Sequence, residues 1–176
     1  MKLYVTRHGQ TTWNVEERVS GITDVELTDK GVEQARALSK ILKNESIDLI
    51  ISSPLKRARD TAELINVVIG APMEIDKRLT EQNYGIYEGV NRKSKGFLDN
   101  KRLFAFKYPG GESMMQLAYR VYGFLEELKK RHGSKSVLLV THGGVCRAIR
   151  TFFEDMTNEE YFNYSHPNCG LAIYEL

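Results

Sequence analysis

The chain has 176 residues, 41% of them hydrophobic, and a formal net charge of +2, with a sequence pI near 8.5. That length supplies one substantial core and is short for two, so a single domain over residues 1–176 is expected. The mild charge excess calls for neither nucleic acid nor an anionic membrane. Two cysteines, Cys146 and Cys169, without Cys-x-x-Cys spacing suggest no disulfide framework or zinc knuckle. With no stretch near the about 18 apolar residues that span a bilayer, a soluble, cytoplasmic protein is expected.

In chain order, Leu3 to Thr6 is a short apolar run that reads as a buried central strand ending at Arg7. Thr28 is placed to cap a helix through about Lys43, with Val32, Ala35, Leu38 and Leu42 on one face. Ile47 to Ser52 reads as a second buried strand, and Pro54 as the start of a helix with Ala58, Ala62 and Ile65 inward. Gly89 to Tyr108 lacks clear periodicity and reads as a short basic insertion over the sheet's edge. Ser113 caps a long helix ended by His132-Gly133, and Ser136 to Thr141 is the strongest strand. A helix from about Gly144 to Phe153, a short polar helix near Asn158 to Tyr164 and a strand from Leu171 to Tyr174 complete the order. This alternation predicts an α/β fold, a three-layer α/β/α sandwich with a mostly parallel sheet.

Three strand ends carry chemistry. Arg7-His8-Gly9 follows the first strand and His142-Gly143-Gly144 the strongest one, so two imidazoles face the crevice where such sheets bind ligands. Arg57 lies in the first turn of a helix, where a cation opposes the macrodipole unless an anion is shared; Lys56 and Arg59 read as solvated neighbours. Phosphoryl transfer needs a neutral nitrogen nucleophile, cationic donors on the equatorial oxygens and an acid for the leaving alcohol. His8 is the expected nucleophile, kept unprotonated by flanking arginines. Arg7, Arg57 and a protonated His142 are the expected phosphoryl ligands, with Asn14 as a further donor and Gly143 and Thr23 at the substrate. Glu81 is the expected acid, its proton held because a bound phosphate lies close, with Glu88 as the competitor.

Arg92, Lys93, Lys95, Lys101, Arg102 and Lys107 make the insertion basic against Asp99 alone. One reading is a lid in which Arg92 and Lys93 meet an anionic substrate; the other is a solvated surface. Phe97, Phe104, Phe106 and Tyr108 read as anchors on the core rather than a platform for an aromatic ligand. No phosphate-loop or dinucleotide fingerprint is present. Cys146 and Cys169 lack the arginine cradle of a cysteine phosphatase and read as packing residues. His132 reads as a helix C-terminal cation and His166 as a turn or rim residue, neither spaced for a metal site.

Ordered along the chain, these segments resemble the histidine phosphatase superfamily, in its phosphoglycerate mutase-like branch. The matching pieces are Arg7-His8-Gly9-Gln10-Thr11 with Asn14, Gly21-Ile22-Thr23-Asp24, Ser52-Ser53-Pro54-Leu55 through Arg57 and Thr61-Ala62, Glu81 with Gly85 and Glu88-Gly89, Pro109-Gly110-Gly111-Glu112-Ser113, and Thr141-His142-Gly143-Gly144. The resemblance implies a phosphohistidine on His8, a phosphate pocket of Arg7, Asn14, Arg57 and His142, Glu81 as proton donor, and no metal or organic cofactor. The short insertion, and Ile22 where mutases carry tryptophan, resemble the phosphatase type, including α-ribazole phosphatases. A metal-independent phosphomonoesterase for a small phosphorylated metabolite, with α-ribazole phosphate among the candidates, is therefore expected. The alternatives are a phosphoglycerate mutase, a phosphoprotein phosphatase or a phospho-binding module. The sequence leaves the oligomeric state open, a homodimer included.

Overall fold

The computed structural model describes residues 1–176. Its strands are β1 (Lys2–Arg7), β2 (Leu49–Ser52), β3 (Met73–Ile75), β4 (Val137–Thr141) and β5 (Leu171–Glu175). They form one sheet in the order β3-β2-β4-β1-β5, parallel throughout except for β5, which pairs antiparallel with β1. The helices are α1 (Thr12–Val15), α2 (Asp29–Leu42), α3 (Lys56–Ile69), α4 (Lys95–Lys101), α5 (Met114–His132), α6 (Gly143–Phe153) and α7 (Asn158–Asn163).

The run Val137-Leu138-Leu139-Val140 is unbroken because both faces of β4 are covered. Val137 and Leu139 join Leu3, Val5, Leu49 and Ile51 under the apolar stripes of α5 and α6. Leu138 and Val140 join Tyr4 and Ile50 against Leu38 and Leu42 of α2 and Ala58, Ala62 and Ile65 of α3. Each such aliphatic side chain withdrawn from water contributes about 1.5–3 kcal/mol, so the sheet is clamped from both sides. The outcome is the three-layer α/β/α architecture with a mostly parallel sheet, and no helix is long and apolar enough to cross a membrane.

Helix starts follow their caps. Thr28 accepts from Gly31 N–H at 3.1 Å, and Ser113 with Gln116 closes a reciprocal capping box on α5. Helix α3 begins at Lys56 rather than at Pro54, because Leu55 is still extended. Residues 89–108 do not cover a sheet edge. They contain α4 and pack Phe97 and Tyr108 with Val19, Tyr84 and Tyr87, beside the loops that follow the strands. The physical reason is aromatic: Phe97 and Tyr108 stack at 5.8 Å, with Tyr84 edge-on to both at 5.5 and 5.0 Å. Phe104 packs edge-on against Tyr161, whereas Phe106 is exposed.

Candidate active site

The sheet register assembles the site. Arg7 pairs with Thr141 and Ser52 with Val140, so His8, Ser53 and His142 emerge side by side at the C-terminal ends of three adjacent strands. His8 N–H donates to the Thr141 carbonyl at 2.9 Å and Ser53 N–H to the Val140 carbonyl at 3.1 Å, extending the ladder one step. The His8 and His142 rings come within 5.2 Å, centroid to centroid.

His8 is buried, and its Nδ1 lies 2.7 Å from the Gly9 carbonyl. A carbonyl only accepts, so Nδ1 carries the proton and Nε2 presents a lone pair. Arg57 Nε–H donates to that lone pair at 3.2 Å. Burial first, then Arg57 and Arg7, hold the His8 imidazolium well below its ordinary range.

Arg57 is fully buried on α3 and has no carboxylate partner. Its Nη1 donates to the Thr23 carbonyl at 2.8 Å and its Nη2 to the Gly21 carbonyl at 2.6 Å. Those carbonyls are presented by a loop stapled at several points. The Glu88 carboxylate accepts from Ile22 N–H at 2.8 Å, from Thr23 N–H at 3.0 Å and from the Thr23 hydroxyl at 2.5 Å. Asp24 accepts from Lys56 N–H at 2.7 Å and caps α3. A Cβ on Gly21 would lie 1.9 Å from Glu88 Oε1, so only glycine fits there. Thr23, expected at the substrate, is absent from the cavity wall and aims its side chain at Glu88. Glu88, the competing acid, is a strut.

Glu81 reaches the site from the opposite side. Its carboxylate accepts from Gly144 N–H at 3.0 Å, at the start of α6, and from Gln82 N–H at 2.9 Å. The loop that carries Glu81 is held by Glu112, which accepts from Asn83 N–H at 3.1 Å and pairs with Arg120 at 2.7 Å. Arg120 also donates to the Glu81 carbonyl at 3.2 Å.

The last turn before β5 fixes Arg7 and Asn14, a contribution the sequence reading missed. Arg7 Nη1 donates to the His166 carbonyl at 2.9 Å. The His166 ring is locked between the Tyr164 hydroxyl at 2.7 Å and the Gly170 carbonyl at 2.9 Å. Asn168 Nδ2 donates to the His8 carbonyl at 2.9 Å and to Asn14 Oδ1 at 3.2 Å. With its oxygen so engaged, and accepting also from Thr11 N–H at 3.1 Å, Asn14 keeps its amide nitrogen for the cavity it lines.

His142, expected as a protonated donor, is neutral near pH 7. Burial first, then Arg57, His8 and Arg7, push its imidazolium well below the ordinary range. Its Nε2 lies 2.7 Å from the Ser53 hydroxyl. Two buried polar atoms beside His8 have no partner, Arg7 Nε and His142 Nδ1.

A cavity of about 210 Å³ opens over these groups. Arg7, His8, Asn14, Glu81, Gly143, Gly144 and Arg92 line it, while Arg57 and His142 stand behind His8. Lys93, expected to meet substrate, pairs instead with Glu17 at 2.9 Å and is exposed. Arg18, Lys101, Arg147 and Tyr164 also line the cavity and were not singled out for it by the sequence. They come from four separate segments, and only Lys101 lies in the basic run.

Residues 3–176 match the histidine phosphatase superfamily (branch 1), and the chain belongs to that family. It is 36% identical over 149 residues to the uncharacterized phosphatase PhoE of Bacillus subtilis, spanning 84% of this chain and 74% of that protein. It is 37% identical over 158 residues to a metal-independent phosphoserine phosphatase of Arabidopsis thaliana, spanning 84% and 66%. The structure of the alpha-ribazole phosphatase from Shigella flexneri superposes with a TM-score of 0.83 at 26% identity, covering 98% of this chain and 89% of that one. The protein is accordingly a phosphatase of this family.

Proposed function

We propose that the protein hydrolyses small phosphomonoesters through a phosphohistidine on His8. The observation that carries this reading is the pair of orphaned buried atoms, Arg7 Nε and His142 Nδ1, beside an imidazole whose Nε2 lone pair is free of protons. Buried polar atoms are rarely left unpaired, and each costs about 1–3 kcal/mol. A phosphoryl group at Nε2 would give both a partner.

In this mechanism His8 Nε2 attacks phosphorus and the bond from phosphorus to the leaving oxygen breaks. Arg7, Asn14, Arg57 and His142 hold the equatorial oxygens, with Gly143 N–H at the mouth of α6, where the helix terminus favours negative charge. His142 acts as a neutral donor through Nδ1, and Arg57 Nε exchanges His8 Nε2 for a phosphoryl oxygen. The leaving alkoxide takes its proton from Glu81. Water then gives its proton back to Glu81 and attacks the phosphohistidine, releasing inorganic phosphate and restoring neutral His8. No step requires a metal ion or organic cofactor.

The cavity volume bears on the alcohol. About 210 Å³ holds a phosphoryl group and the start of its alcohol, whose remainder extends through the open mouth. The test is phosphate release with EDTA present from p-nitrophenyl phosphate, 3-phosphoglycerate and α-ribazole phosphate. The expected result is chelator-resistant release that His8→Ala abolishes; full release by His8→Ala would overturn the nucleophile assignment.

A further inference from the structure

Asn168 stands outside the cavity wall, yet its amide group reaches two members of the site at once. Its Nδ2 donates to the His8 carbonyl at 2.9 Å and to Asn14 Oδ1 at 3.2 Å. The neighbours fix which way each amide points. Thr11 N–H only donates, and it lies 3.1 Å from the Asn14 side chain, so the Asn14 atom there is oxygen. That oxygen and the His8 carbonyl are both acceptors, so the Asn168 atom between them is nitrogen, and each of its two protons has a partner.

Asn14 has little else to hold it. It sits half-buried in α1, a helix of four residues, too short to be stable by itself. A reversed Asn14 amide would aim Oδ1 at a bound anion and Nδ2 at two donors, Thr11 N–H and Asn168 Nδ2. The chain beside Asn168 takes a costly shape to keep it in place. Cys169 has a φ of 53°, in the left-handed region that a side chain disfavours. Its N–H donates to the Arg7 carbonyl at 2.9 Å, while Arg7 Nη1 donates to the His166 carbonyl at 2.9 Å. Residues 166–169 therefore grip both Arg7 and His8, and strain of this kind persists where the surroundings over-determine it, most often at functional sites.

We propose that Asn168 is a positioning residue for phosphoryl transfer, locking the Asn14 amide with its nitrogen toward the phosphoryl oxygens and tying that nitrogen to the backbone of His8. The bond to the His8 carbonyl sets where Asn14 stands relative to the nucleophile. The bond to Oδ1 sets what Asn14 offers. Asparagine supplies both protons from one atom, which aspartate, serine and alanine cannot do at this position. Aspartate, of the same size, would face two acceptors with a third and turn the Asn14 amide around. The inference rests on the reading of Asn14 as a phosphoryl ligand beside His8.

The experiment is inhibition of p-nitrophenyl phosphate turnover by orthovanadate, a five-coordinate mimic of the transferring phosphoryl group. It is run on the full-length parent, Asn14→Ala, Asn168→Ala and the double variant. An inhibition constant does not depend on the folded fraction, so loss of protein to unfolding leaves it unmoved. Asn14→Ala and Asn168→Ala should each raise it about tenfold, the worth of one hydrogen bond to a charged group. The double variant should lie within about twofold of Asn14→Ala, because the two residues act as one unit. Asn168→Asp should raise the constant beyond Asn168→Ala. Losses that multiply in the double variant, or a constant for Asn168→Asp no higher than that of Asn168→Ala, would overturn the positioning role. An Asn14→Ala protein with the parent's constant would instead remove Asn14 from the phosphoryl pocket and this inference with it, whereas the phosphohistidine itself is tested separately by His8→Ala.

Discussion

At the residue scale, the site depends on close approaches that a single methyl group would block. Gly144 is the clearest. A Cβ there would sit 2.5 Å from Glu81 Oε1 and 3.3 Å from its carboxyl carbon, so the N–H that orients Glu81 can be offered only by glycine. Gly144→Ala should displace the carboxyl group by a fraction of an ångström to about 1 Å. Misplacement of that order costs about 100-fold in rate, and the loss should fall on kcat for an alkyl phosphate, whose leaving group needs the acid. p-Nitrophenyl phosphate, with a good leaving group, should lose far less. Steady-state kinetics on both esters checks this, and equal losses would show that Gly144 serves folding rather than the acid. The same spatial logic explains Glu88. It resembles a second acid in sequence, yet its carboxylate is spent on the Ile22 and Thr23 amides and the Thr23 hydroxyl.

At the scale of elements, legibility followed burial. β4, α2, α5 and α6 could be read because each presents an unbroken apolar run or a stripe at helical spacing to one of the two buried clusters. β3 could not: it has three residues, only Met73 is partly covered, and Glu74 and Ile75 are exposed. Helix α4 was equally silent, since two turns with only Phe97 and Asn100 buried show no period. The strand-end histidines and Arg57 stood out because glycine, proline and a misplaced helix-terminal cation mark them. Pro167 marks the Tyr164–Asn168 segment as a turn, but nothing in the sequence ties that turn to the site. Its hold on Arg7 and His8 spans some 160 positions and runs partly through backbone carbonyls, which any side chain could present. Lys93 illustrates the reverse error, a charge adjacent in sequence to the cavity-lining Arg92 but directed at Glu17.

At the scale of the whole molecule, three of the four histidines are buried or nearly so in neutral form. Burial lowers the imidazolium of His8, His142 and His166 alike. The unfolded chain protonates these rings near pH 6.5 while the folded chain does not. Below that pH the unfolded state therefore binds more protons, and stability falls as pH falls from about 6.5 toward the lowered folded values. Each ring contributes a slope of at most about 1.4 kcal/mol per pH unit. Thermal unfolding should show a lower Tm at pH 5.5 than at pH 7.5, and a His8→Gln, His142→Gln double variant should flatten that dependence. An unchanged Tm across this window in the parent protein would contradict the buried-neutral assignment.

In the proposed mechanism that neutrality is also what lets His8 act as the nucleophile, joining the sheet register that buries it to the chemistry at its Nε2. The most direct test is an alkaline-quench mass spectrum of the Glu81→Ala protein after mixing with p-nitrophenyl phosphate, followed by digestion. The expected result is an acid-labile phosphoryl group on the peptide containing His8, absent from His8→Ala. Release of inorganic phosphate by the parent protein with no phosphoryl group ever trapped on His8, and persisting in His8→Ala, would contradict the account.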